Sequence, residues 1–169
     1  MKERYIECLE EMLISHGCHI YELPTSLNPS IKRICNELNI HIYDAPSAFE
    51  SGHLYLGFTA AITYALNKVI VIHTYDFNNV LHLEFAIWHE FGHLMNDDHD
   101  SESDADDFAI KQLTQVYGEV KSDVTYRNWL FNEYHVDTAT GSHDEMKDKD
   151  KPKYGFRLDR ITSYLVNNH

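Results

Sequence analysis

Cysteine is scarce in this chain: three residues, Cys8, Cys18 and Cys35, with no C-x-x-C pair among them. An odd number outside any ligand spacing excludes a disulfide framework and a thiolate metal site. Basic residues are also few, 14 against 27 acidic, for a formal charge of −13. That balance argues against direct contact with nucleic acid, which needs a basic face. It suits a basic partner, or serves only to keep a small protein soluble. No long apolar run occurs, and the first residues, Met1 to Glu7, already carry acidic side chains. Neither a signal peptide nor a membrane span is expected, and a reducing cytoplasm is the natural setting. No internal repeat is visible. What is present is 43% hydrophobic residues over 169 positions, enough for one domain, residues 1–169, with its own core.

The apolar spacing outlines an α+β protein. Tyr5, Ile6, Leu9, Met12 and Leu13 make one face of a helix ending near Gly17, and Ile31, Ile34, Cys35 and Leu38 make the stripe of a second. Asn28 is placed to cap that second helix, Pro29 to occupy its first position and Asn39 to close it. Strand-like runs follow at Ile40 to Tyr43 and Leu54 to Phe58. Ala61 to Ala65 and Val69 to His73, separated by Leu66-Asn67-Lys68, read as a hairpin of a small, mainly antiparallel sheet. From Leu81 to Met95 the period turns helical with apolar residues almost all round, the mark of a central buried helix. A further helix carries Ala105, Phe108, Ala109, Leu113 and Val116 and stops at Gly118, another is expected around Val124 to Tyr134, and a short one around Ile161, Tyr164 and Leu165. Residues 141–153 lack apolar pattern and read as a mobile loop.

Inside the central helix stands His89-Glu90-Phe91-Gly92-His93. Histidines four apart project from one helix face a turn apart, so both imidazoles reach one zinc ion. Glu90 flanks that position, where a carboxylate can take a proton from water activated by zinc and pass it to a leaving amine. Gly92 lets another element approach closely. The pentapeptide alone is not decisive, but two histidines and a glutamate on a buried-type helix are costly without a partner.

A catalytic zinc needs a third protein ligand and an open position. Glu102, nine residues beyond His93 and on the inward stripe with Ala105 and Ala109, is the first choice. Asp106, a turn further, is placed to accept the second ring N–H of a zinc-bound histidine. Asp104 is the alternative ligand, although Ser101 to Asp104 also reads as a capping pair. His99 is a weaker one, because the His-x-x-Gly-x-x-His continuation is absent. Asp97, Asp98 and Asp100 read as a solvated acidic loop, or as ligands of a second cation.

These residues, with Glu102-Ser103-Asp104-Ala105-Asp106-Asp107-Phe108-Ala109, resemble the H-E-x-G-H … E-x-x-A-[DN]-x-F-A pattern of the ImmA/IrrE family of metallopeptidases, over about residues 28 to 116. The resemblance implies a zincin-like, gluzincin-like fold, with the sheet packed on the motif helix. It implies zinc held by His89, His93 and Glu102, and Glu90 as general base. It further implies site-specific cleavage of a regulatory protein, a repressor or antitoxin, in the setting of a phage or mobile element. The competing expectation is a non-proteolytic antirepressor that keeps the fold and sequesters a basic DNA-binding regulator. A tetrahedral oxyanion needs a further donor, and Tyr126, Tyr134, His135 and His143 are the downstream candidates.

Overall fold

The computed structural model describes residues 2–45, 61–74, 77 and 79–167. Helix α1 (Lys2–Ser15) leads into a two-residue strand, β1 (His19–Ile20), followed by α2 (Pro29–Leu38) and β2 (His41–Asp44). The hairpin follows as β3 (Ala61–Tyr64) and β4 (Val69–Ile72), then α3 (Val80–Met95), α4 (Glu102–Tyr117), α5 (Glu119–Glu133) and α6 (Lys151–Asn167). The expected strand at Leu54 to Phe58 lies outside the described residues.

The α+β class is as expected, but the sheet is mixed. Its order is β1-β2-β4-β3, with antiparallel pairing at both edges and a parallel pair, His41↔Val69 to Asp44↔Ile72, at the centre. Val69-Ile70-Val71-Ile72 is apolar at every position because both faces of β4 are covered. Ile70 and Ile72 join the larger core with Trp88 and Phe91 of α3, whereas Val69 and Val71 pack with Leu13 and Cys18 under α1. The hairpin turns through a 3-10 segment, Ala65–Asn67, with Lys68 in the left-handed region at φ 53°.

Helix α2 starts and stops on its polar punctuation. The Asn28 side chain accepts from the Ser30 N–H at 3.0 Å, Pro29 sits at the first position, and Asn39 ends the helix at φ 55°. Every residue of α3 from Leu83 to His93 is buried, as its apolar coverage requires. Between α4 and α5 there is no loop: Gly118, at φ 88°, ends one helix and begins the next, so α5 starts five residues before Val124. The other departure is at the C-terminal end. Asp148–Asp150 form a 3-10 turn and Lys151 to Lys153 belong to the first turn of α6, so the expected loop over 141–153 ends early. Pro152 is compatible with that turn, where the first N–H groups have no helical partner. Among the described residues, no helix is long and apolar enough to cross a membrane.

Candidate metal centre

Helices α3 and α4 meet at Gly92. A Cβ on Gly92 would lie 2.8 Å from Ala105 Cα, so the missing side chain is what lets the helices touch. Ser101 caps α4, its Oγ accepting from the Asp104 N–H at 3.2 Å, which puts Glu102 in the first helical position.

From those two helices His89, His93 and Glu102 bring one ligand atom each into a cluster whose atoms lie within 4.8 Å of one another. His89 Nε2 is 3.0 Å and His93 Nε2 3.6 Å from the same oxygen, Glu102 Oε2, and the two nitrogens are 3.1 Å apart. Three lone-pair donors facing one another in a half-buried space repel unless a cation or a proton lies between them. The set fits a zinc ion. Burial alone would push the His89 imidazole down, but Asp106 and Glu102 beside it raise it to about 9. Burial likewise works against the Glu102 carboxylate, yet contacts to both histidines hold it far below the usual range.

The second ring nitrogens are held as well. His93 Nδ1 faces the His99 carbonyl at 2.8 Å and His99 Nδ1 faces the His93 carbonyl at 2.5 Å, a reciprocal clasp that leaves His93 Nε2 toward the cluster. His89 Nδ1 lies 2.7 Å from Asp106 Oδ1, an ion-pair contact between a buried imidazole and a buried carboxylate. Asp106 is fully buried and takes two bonds from Arg157, Nη2 to Oδ1 at 2.8 Å and Nε to Oδ2 at 3.0 Å, and one from the Tyr126 hydroxyl at 2.6 Å. Burial opposes ionisation of Asp106, but His89 and Arg157 overcome it and hold the carboxyl well below its ordinary value.

Glu90 is buried, and its Oε2 accepts from the Thr63 hydroxyl of strand β3. Beside it a cavity of about 280 Å³ is bounded by Ala61 to Thr63, by His89, Glu90 and His93, by His99, Asp100 and Glu102, and by Lys153 and Tyr154 of α6. Asp104 is exposed and lies outside the ligand cluster, and His99 is engaged through its ring with backbone. Asp97, Asp98 and Asp100 are exposed.

None of the four oxyanion candidates lines the cavity. Tyr126 is committed to Asp106, His135 is exposed, His143 contacts the Asp144 carbonyl at 3.2 Å, and Tyr134 is half-buried beside Arg157. The residues that sequence reasoning missed are Lys153, Tyr154 and Arg157, all on α6. Lys153 Nζ is 3.3 Å from Glu102 Oε1, and Tyr154 is kept protonated by burial and by the Glu102 charge. For Tyr154 and Arg157 the signal was the spacing of Tyr154, Arg157, Ile161 and Tyr164, one helix stripe that reaches back to the edge of the assumed loop. No protein-family model, no curated protein and no solved structure matches the chain.

Proposed function

We propose that this protein is a zinc-dependent endopeptidase of zincin-like fold that cleaves a regulatory protein partner of the repressor or antitoxin type. The observation that carries the reading is the convergence of His89, His93 and Glu102 on one point beside a cavity that Glu90 also lines. When bound there, a zinc ion supplies a Lewis acid that activates water and polarises a carbonyl. Glu90 takes the proton of the attacking water and returns it to the leaving amine. Thr63 orients that carboxylate through its hydroxyl. Tyr154 offers a protonated phenol at the cavity for the developing oxyanion. The resemblance of the two motif helices to the ImmA/IrrE pattern supports a protein substrate and a cytoplasmic setting.

The reading is tested by Glu90→Gln. The variant should retain zinc and lose cleavage of a candidate partner by at least about 100-fold. A formal charge of −13 and the acidic stretch Asp97, Asp98 and Asp100 favour a second reading, in which the chain only sequesters a basic regulator. Under that reading Glu90→Gln leaves the biological effect intact.

A further inference from the structure

Arg157 is 7% exposed, a deeply buried cation contributed by the last helix. Its guanidinium spans both oxygens of Asp106, and Nη2 also lies 3.9 Å from Glu102 Oε2. It therefore stands beside two carboxylates of the metal centre at once, one the candidate third ligand and the other the neighbour of His89 Nδ1. Aromatic rings hold the fork in place: the guanidinium carbon lies 4.8 Å from the Trp129 ring centre and 5.2 Å from that of Tyr154.

We propose that Arg157 is a positioning residue of the metal site: by fixing the plane of the Asp106 carboxylate it fixes His89, so helix α6 completes a centre whose ligands all come from α3 and α4. The inference rests on the zinc reading above. Its physical basis is the shared oxygen. Asp106 Oδ1 meets Arg157 Nη2 at 2.8 Å and His89 Nδ1 at 2.7 Å, so a rotation of the carboxylate that weakens one contact moves the other. A single-point donor leaves that rotation free, whereas a planar two-point fork does not. The Tyr126 hydroxyl, which donates to Oδ2 only, does not fix the plane by itself. A lysine in place of Arg157 keeps the charge and loses the fork.

The test is metal affinity rather than activity. The full-length protein and its Arg157→Lys variant are stripped of metal, and Zn²⁺ affinity is measured by competition with a chromophoric chelator; Co²⁺ is then loaded and its visible spectrum recorded. Loss of an outer partner of a metal ligand costs ~10–100-fold in affinity, and Arg157→Lys should lose that much and show a changed cobalt band. In an Asp106→Asn background the same substitution should cost far less, because the route through the carboxylate is gone. Ile161→Ala, which loosens the same helix without touching the carboxylate, should lower the melting temperature and leave both affinity and spectrum unchanged. An Arg157→Lys protein with parental affinity and spectrum, or a loss that persists undiminished beside Asp106→Asn, overturns the proposal. If Arg157→Lys does not fold, Arg157→Gln takes its place with the same expectations. A parental chain that binds neither ion refutes the zinc reading itself, an outcome distinct from equal binding by parent and variant.

Discussion

Gly92 is the point at which two helices come within backbone contact, and its missing side chain sets the distance between His89 and Glu102. A methyl group there meets Ala105 Cα at 2.8 Å and Ala105 O at 3.2 Å, atoms that cannot swing aside. Gly92→Ala should destabilise the fold by about 1–3 kcal/mol through overpacking, read by denaturant unfolding, and should weaken zinc binding as α4 is displaced. The cysteines give a second expectation. Cys8 is exposed, Cys18 is buried, and burial pushes the Cys35 thiol from 9.0 up to about 11. At pH 8 a thiol reagent should titrate Cys8 rapidly, the half-buried Cys35 slowly because its raised pKa leaves little thiolate, and Cys18 only on unfolding. Because the folded thiol of Cys35 keeps its proton above the unfolded value, it favours the fold least at high pH, and stability should fall as pH rises from 9 toward 11. At this scale the motif residues were legible because their spacing is local: His89 and His93 a turn apart, Glu102 on the stripe of Ala105 and Ala109. The role of Arg157 was not: its spacing puts it on the α6 stripe, but its partner Asp106 is 51 positions away.

Helix boundaries were legible where a side chain makes the boundary and hidden where the backbone does. Asn28, Pro29 and Asn39 announce α2 because each satisfies a terminal group or a special conformation that few other residues provide. Asn28→Ala should cost about 1 kcal/mol in thermal or urea unfolding, the usual worth of an N-terminal cap. The start of α5 was invisible: Gly118 redirects the chain without a polar cap, so no signature precedes Glu119. The first turn of α6 was hidden under a charged, Pro-containing stretch that reads as a loop until it is seen that only one face of the helix needs apolar residues. Strand β4 shows the same limit for sheets. Its unbroken apolar run reads equally as an edge-to-centre hairpin or as a strand covered on both faces, and only the parallel partner β2, far off in sequence, decides.

Across the whole molecule, the sheet lies between α1 on one face and the larger core of α2 to α6 on the other, and the candidate metal centre sits where β3, α3, α4 and α6 meet. Sequence pattern captured the class and the two helices that carry the candidate ligands. It did not capture the closure of the site by α6, because that depends on packing of distant segments. A site so placed ties metal binding to global stability: free zinc at ~100 times its dissociation constant should add about 2.7 kcal/mol, seen as a melting temperature that falls on addition of a chelator and recovers with zinc. The most direct measurement is elemental analysis of the protein purified without chelator, in parent form and as His93→Ala and Glu102→Ala. The parent should carry about one zinc per chain, as three protein ligands with an open position imply, and both variants should carry little. A metal-free parent, or full zinc in either variant, would contradict a zinc centre built from His89, His93 and Glu102.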